Sequence, residues 1–107
     1  MSNIDIEGNA ESSLETREAL FRIAQEALAN VARHSSASSV ELYLGYEVST
    51  VTMMVKDNGR GFNVRAQHDG LGLLSMRERA EVLGGNFSVV SEPDQGTQII
   101  VKIPATQ

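Results

Sequence analysis

The sequence lacks cysteine altogether, and its 107 residues include no tryptophan and only two prolines. Without cysteine, the chain has no disulfide framework, no thiolate zinc site and no cysteine nucleophile. No apolar run approaches the ~18 residues of a membrane span. The N-terminal segment MSNIDIEG has neither the basic nor the apolar region of a signal peptide. The sequence therefore predicts a cytoplasmic chain, and it leaves open whether a longer protein carrying this segment is anchored in a membrane.

An excess of basic residues is also missing, since nine lysines and arginines stand against 14 aspartates and glutamates. The resulting net charge of -5 argues against a surface that collects nucleic acid or anionic lipid. Any phosphate that the chain binds must be held by local groups. With 41% hydrophobic and 21% charged residues, the composition is that of one globular domain.

The first part of the chain predicts a linker followed by one long helix. Residues 1–13 are polar and acidic, which is typical of a flexible N-terminal remnant or linker, so we expect the domain to span 14–107. A helix is predicted over about 14–34, with Ser13 or Thr16 as its cap. Its apolar positions at helical spacing are Leu20, Ala24, Ala27, Leu28 and Val31.

The remainder predicts two strand pairs with a second helix between them. Alternating apolar residues indicate strands over 40–46 and 50–57, and again over 87–92 and 97–104. A shorter helix is predicted over 73–83, where the apolar positions are Leu74, Met76, Ala80 and Leu83. The simplest packing is an α+β fold, a two-layer sandwich with the helices on one face of a mixed sheet.

A polar stripe on the first helix is a candidate site. Glu26, Asn30 and His34 follow each other at i, i+4 spacing, and Arg33 lies beside them. A carboxylate next to an amide oxygen suits Mg²⁺, which prefers oxygen ligands. Taken alone, such a stripe favours a solvated helix face with an internal ion pair over a metal site.

Glycine-containing loops follow a strand and precede a helix. Asp57 ends the second predicted strand, where its carboxylate can accept a hydrogen bond from a base amine, and Gly59 and Gly61 allow close approach of the backbone. A tight turn is the alternative interpretation. Thr97 begins the last predicted strand. Its hydroxyl could bind a ring nitrogen, directly or through water, or Thr97 could be an ordinary β-branched strand residue.

The second glycine loop reads Gly70, Leu71, Gly72, Leu73 and opens the second helix. Backbone N–H groups at such a helix start can hold an anion. A flexible loop is the alternative, because the pattern matches neither the lysine-bearing phosphate loop nor the longer dinucleotide motif.

Four segments carry a resemblance to a known family. They are FRIAQEALANVARHS, VKDNGRGF, DGLGLLSMRERAEVLGG and EPDQGTQIIVKIP. In this order they resemble the N box and the glycine boxes of the ATP-binding domain of sensor histidine kinases, within the GHKL superfamily of Bergerat-type folds that includes gyrase and MutL. The resemblance covers about residues 18–104, and the third segment is most similar to the nitrate-sensor subfamily.

The resemblance implies roles at the phosphate end of an ATP site. Asn30 would be the Mg²⁺ ligand, and Glu26 would orient or deprotonate the attacking group. An acidic residue outside this chain is the alternative base. Arg33 or His34 would approach the phosphates. The amides of the second glycine loop would reach them too, which adds Gly70, Leu71, Gly72 and Leu73 to the nucleotide-binding residues.

At the other end of the site the resemblance implies recognition of adenine. Asp57 would accept the amine, Gly59 and Gly61 would form the wall beneath the base, and Thr97 would complete the pocket. The stretch between Phe62 and the second glycine loop is short, so we expect a small ATP lid.

The function that the resemblance implies is transfer of the γ-phosphoryl group of Mg·ATP to a histidine on a separate, dimeric helical hairpin of the same kinase. A response regulator would be an indirect partner, nucleic acid would not be one, and the fragment would be monomeric within a homodimeric full-length kinase. No segment resembles the phosphoacceptor helix itself. The alternatives are an anti-sigma-factor serine kinase of the same fold and a degenerate nucleotide-binding docking module.

Overall fold

Two helices lie on one face of a five-stranded sheet in the computed structural model, which describes residues 2–7, 13–47, 49–61 and 72–104. The strands are β1 (Ser2–Glu7), β2 (Val40–Tyr46), β3 (Thr50–Asp57), β4 (Asn86–Ser91) and β5 (Thr97–Pro104), and the helices are α1 (Leu14–Asn30) and α2 (Leu73–Val82). The sheet order is β1-β2-β3-β5-β4, with β1 parallel to β2 and every other pair antiparallel. The predicted α+β sandwich on a mixed sheet is confirmed.

The strand β1 is a correction to the sequence prediction. Residues 2–7, which were expected to belong to a flexible segment, pair with β2 over six positions, with Ile4 opposite Leu42 and Ile6 opposite Leu44. A parallel partner must lie far away along the chain. The local composition of residues 2–7 therefore did not indicate a strand. The start of the domain at residue 14 stays a prediction.

Helix α1 begins at a serine cap and ends in a wider turn. Ser13 Oγ accepts the backbone N–H of Thr16 at 3.1 Å, which satisfies one of the first unpaired donors of the helix. The chain continues past Asn30 as a π-helical turn, Val31–Ser35. The predicted helix over 14–34 is thus confirmed in position, but its last turn is π rather than α.

The core lies between the helices and one face of the sheet. Alternate residues of the inner strands point into it, and they are Val51, Met53, Val55, Ile99, Val101 and Ile103. Helix α1 adds Leu20, Ile23 and Ala27, and α2 adds Met76 and Ala80. Leu28 and Leu74, which were counted with the apolar positions, are exposed. Successive residues of an α-helix are rotated by about 100° around its axis. Leu28 therefore points away from the core, whereas its neighbour Ala27 points into it.

Helix α2 ends in a Schellman motif. The N–H groups of Gly84 and Gly85 donate to the carbonyl oxygens of Glu81 and Ala80 at 3.0 and 2.9 Å. The predicted stop at this glycine pair is confirmed, and the chain is turned directly into β4. In the described part of the chain, no helix has both the length and the hydropathy that crossing a membrane requires.

Candidate functional site

The ends of β3 and β5 bring two of the predicted residues together. Asp57, the last residue of β3, pairs in register with Thr97, the first residue of β5. Both side chains lie on the helix side of the sheet, because they alternate with Lys56 and Gln98 on the other side. Directly opposite residues of antiparallel strands have Cβ atoms about 5 Å apart. The strand register therefore makes a carboxylate and a hydroxyl neighbours.

The carboxylate of Asp57 is buried, with only 7% of the residue exposed. Its Oδ1 accepts the backbone N–H of Gly59 at 2.7 Å. This hydrogen bond folds the glycine loop back over the strand end and helps to offset the cost of burying the charge. The second carboxylate oxygen remains to accept a hydrogen bond from a ligand.

The hydroxyl of Thr97 contacts a second hydroxyl. Ser91, the last residue of β4, lies 2.9 Å away, measured between Oγ of Ser91 and Oγ1 of Thr97. Ser91 Oγ also donates to the carbonyl oxygen of Gly96 at 3.0 Å. Three strand ends are thereby joined at the point where Asp57 is buried.

Gly61 packs the first glycine loop against the turn between β4 and β5. Its φ is +59°, and a Cβ at this position would collide with the carbonyl oxygen of Glu92. The same two segments are joined where the N–H of Asp94 donates to the carbonyl oxygen of Arg60 at 2.5 Å. Glycine at this position is required by both the backbone conformation and the close approach.

The polar stripe on α1 forms an ion pair. Arg33 Nη2 lies 3.8 Å from Glu26 Oε2, and the two side chains are 62% and 43% exposed. An exposed pair of this kind contributes little to stability. Asn30 lies on the same stripe, half-buried, with its Oδ1 atom shielded from solvent. The stripe thus presents a carboxylate oxygen and an amide oxygen on one helix face.

Helix α2 begins directly beside this stripe. Gly72, the residue before α2, has φ +68°, and a Cβ placed on it would lie 3.1 Å from the Glu26 carboxylate. Gly72, the last glycine of the second glycine loop, therefore lies against the polar stripe. Leu73 is the first residue of α2 and packs against the core. Gly70, Leu71 and the side chain of His34 lie outside the described residues.

Asn58 is a residue of the site that the sequence reasoning missed. Its Oδ1 accepts the backbone N–H groups of Ser38 and Ser39, both at 3.0 Å, and its Nδ2 donates to Ser38 Oγ at 2.9 Å. The side chain therefore fastens the glycine loop to the segment that follows α1. The signal in the sequence was the asparagine directly after Asp57, a residue type that commonly bonds to backbone groups in turns.

A cavity of about 290 Å³ opens beside the segment that Asn58 binds. It is lined by Val31, Ala32, Arg33, Ser36, Ala37, Ser38, Ser39 and Val40. Arg33 is its one lining residue among the predicted site residues, so this cavity is separate from the Asp57 and Thr97 pair. Within the described ranges, no group of three or more histidine, cysteine, aspartate or glutamate side chains is placed to hold a metal.

Known proteins resemble this chain in sequence and in fold. Sensor histidine kinase LiaS of Bacillus subtilis (strain 168) is 50% identical over 86 residues, which are 79% of this chain and 24% of LiaS. Sensor protein VraS of Staphylococcus epidermidis is 45% identical over 86 residues, 79% of this chain and 25% of VraS. The chain thus spans about a quarter of the length of these curated relatives.

A solved structure shares the fold. The histidine kinase domain from Erythrobacter litoralis EL346 blue-light activated histidine kinase superposes with a TM-score of 0.75 at 22% identity, over 99% of this chain and 56% of that one. Residues 15–107 match the family profile described as histidine kinase-, DNA gyrase B-, and HSP90-like ATPase. Since this match covers most of the sequence, the chain belongs to the family of histidine kinase-, DNA gyrase B- and HSP90-like ATPases.

Proposed function

We propose that this chain is the catalytic domain of a sensor histidine kinase, which binds Mg·ATP and transfers its γ-phosphoryl group to a histidine on a separate helical hairpin. The observation that carries the proposal is the buried carboxylate of Asp57, held at the end of β3 beside Thr97. A buried carboxylate with an unused acceptor oxygen suits an amine of a ligand. The names of the curated relatives support the reaction.

At the adenine end, Asp57 accepts the exocyclic amine of the base. Gly59 fixes the carboxylate through its N–H, and Gly61 keeps the loop close to the β4–β5 turn. Thr97 completes the pocket from the neighbouring strand. The side chains involved are held by strand register, so the base meets groups that are already in place.

At the phosphate end, the residues of α1 supply charge and oxygen. Asn30 offers the amide oxygen that would hold Mg²⁺, with the Glu26 carboxylate beside it, and ATP phosphates and waters would complete the coordination of the ion. The ion, when bound, neutralises charge that develops during transfer. Arg33, already paired with Glu26 on this stripe, would approach a phosphate oxygen. His34 is the second candidate for that contact.

The start of α2 supplies backbone amides. Gly72 and Leu73, with Gly70 and Leu71 before them, bring N–H groups toward the phosphates beside Glu26. An acidic protein of net charge -5 can in this way hold a polyphosphate without a basic surface.

In the transfer itself, the bond between the γ-phosphorus and the bridging oxygen of ADP breaks while a bond to an imidazole nitrogen forms. Positioning and charge neutralisation are most of what this reaction needs. Glu26 orients the attacking imidazole or takes its ring proton, with an acidic residue on the hairpin as the alternative base. The response regulator then receives the phosphoryl group from the hairpin.

Neither histidine of the chain is a suitable acceptor. His34 follows the proposed Mg²⁺ ligand Asn30 by only four residues, so we do not expect it to line up opposite the leaving oxygen. His68 lies in the short segment expected to form the lid, outside the described residues. The acceptor must therefore come from another domain.

The test is incubation of the chain with γ-labelled ATP and Mg²⁺, alone and with the dimeric hairpin of its full-length kinase. We expect no label on the chain alone and acid-labile, alkali-stable label on the hairpin. Acid-stable label on a protein serine would instead establish the serine-kinase alternative. Binding without any transfer would establish the docking module.

A further inference from the structure

Ser91 lies behind the predicted adenine pocket and contacts two groups of β5. It ends β4 and is 8% exposed. Its Oγ lies 3.0 Å from the carbonyl oxygen of Gly96 and 2.9 Å from Thr97 Oγ1. No role for Ser91 follows from the proposed phosphotransfer, yet its hydroxyl is built into the end of the sheet.

The direction of both hydrogen bonds follows from counting protons. A carbonyl oxygen only accepts, so Ser91 must donate its single hydroxyl proton to Gly96. Ser91 Oγ then has only lone pairs left for Thr97. The contact between the two hydroxyls is therefore a bond in which Thr97 donates and Ser91 accepts.

This direction decides what Thr97 offers to a ligand. Its own proton is committed to Ser91, so toward the pocket its Oγ1 presents lone pairs only. Asp57, the residue opposite in register, is a carboxylate and also presents only acceptors. Two neighbouring acceptors match the two hydrogens of an exocyclic amine. They repel an oxo group, which is itself an acceptor.

We infer that Ser91 is a positioning residue that sets nucleobase specificity, by holding the proton of Thr97 away from the pocket so that the site accepts a 6-amino and rejects a 6-oxo purine. This inference rests on the proposed adenine site. It deepens that proposal because the resemblance assigns the base to Asp57 and Thr97 and gives Ser91 no part.

The experiment compares ADP with IDP, which carries an oxo group in place of the amine, by calorimetry on the whole chain. In Ser91→Ala, the Thr97 hydroxyl is released and can rotate to donate to the oxo group. We expect the preference for ADP over IDP to fall by about three- to tenfold, the value of one hydrogen bond. Ser88→Ala, on the exposed side of the same strand, is the matched control and should keep the wild-type preference.

A second cycle separates the proton argument from a merely structural effect. In a Thr97→Val background the hydroxyl is gone, so Ser91→Ala should leave the ADP to IDP ratio unchanged. In the wild-type background, Ser91→Thr retains a hydroxyl and should therefore keep the wild-type ratio of ADP to IDP affinity. Should the alanine variant fold poorly, Ser91→Cys keeps the volume with a much weaker acceptor and should give the same fall.

The outcomes are distinguishable. A wild-type chain that binds neither nucleotide refutes the proposed function. A wild-type chain that prefers ADP, with the same preference in Ser91→Ala, overturns the role of Ser91. A fall in preference that persists in the Thr97→Val background also overturns it, because the effect would not then pass through the threonine hydroxyl.

Discussion

Among the described residues, Asp57 is the one charged residue that is buried. A buried carboxylate loses its hydration, and the Gly59 N–H at 2.7 Å offsets only part of that loss. Its neighbours Thr97 and Ser91 give the carboxylate a fixed surrounding.

The first prediction replaces the charge of this residue and keeps its shape. In Asp57→Asn, the atom that faces the pocket is either the side-chain NH₂ group, which donates, or the amide oxygen, which is a weaker acceptor than a carboxylate. The hydrogen bond from the amine of adenine is therefore lost or weakened. We expect ADP binding to weaken by roughly 1–3 kcal/mol, measured by calorimetry.

The matched control for this prediction is Asp94→Asn. Asp94 lies in the exposed β4–β5 turn at φ +65°, a conformation that asparagine also tolerates. The control should bind ADP like the wild type. Unchanged ADP affinity in Asp57→Asn would remove the residue from the adenine site.

At the scale of elements, the decisive junction is the one between α1 and α2. The two helices contact each other, and the residue that opens α2 lies against the Glu26 side chain. A side chain at Gly72 would push on that carboxylate. Gly72 and the polar stripe are therefore packed against each other.

The second prediction compares two glycines with the same backbone strain. Gly72 and Gly84 have φ values of +68° and +77°. A Cβ on Gly84 would meet nothing closer than Pro104 Cγ at 3.9 Å, whereas one on Gly72 would press on Glu26. We expect each alanine variant to lose about 1–2 kcal/mol of unfolding free energy. Only Gly72→Ala should also weaken Mg·ATP binding. Equal effects of the two variants on nucleotide binding would contradict the junction's role.

Elements with their own periodicity were predicted well from the sequence. The strands β2, β3 and β5 show clean alternation, and the end of α2 carries its glycine pair, so local pattern and tertiary burial agree. The π-helical turn at Val31–Ser35 has no periodic signature. Strand β1 is short and acidic, and its pairing depends on a partner more than thirty residues away. Such features are decided by tertiary context.

The site was predicted residue by residue, but its connections were not. The sequence motifs assigned both Asp57 and Thr97 to the site but did not show that they are neighbours. Their proximity follows from the antiparallel register of β3 and β5. The bonds that Asn58 makes to Ser38 and Ser39 join segments about twenty residues apart. Contacts of this kind depend on how strands and loops pack, and a motif does not record them.

At the scale of the whole molecule, the sheet includes a strand that lies outside the predicted domain of residues 14–107. The strand β1 extends the sheet beyond β2 and lies at the edge opposite β4. The predicted site residues all lie in 14–107. We therefore expect the edge strand to support the sheet rather than to bind the nucleotide.

The third prediction removes that strand. A chain beginning at Ser13 should keep its ADP affinity, while its melting temperature falls because β2 becomes an unprotected edge. Circular dichroism and calorimetry on the two chains provide the comparison. A truncated chain that keeps its helices and sheet but loses ADP binding would show that the functional unit begins before residue 13.

The central claim is that ATP and Mg²⁺ bind together in a site between α1 and the ends of β3 and β5. The most direct test is titration of the chain with ATP, with and without Mg²⁺, in the wild type, in Asn30→Ala and in the exposed-asparagine control Asn86→Ala. Since one amide oxygen holds the ion to the protein, we predict tighter ATP binding with Mg²⁺ in the wild type and control, and no such gain in Asn30→Ala. The absence of ATP binding, or an equal Mg²⁺ gain in Asn30→Ala, would contradict the claim.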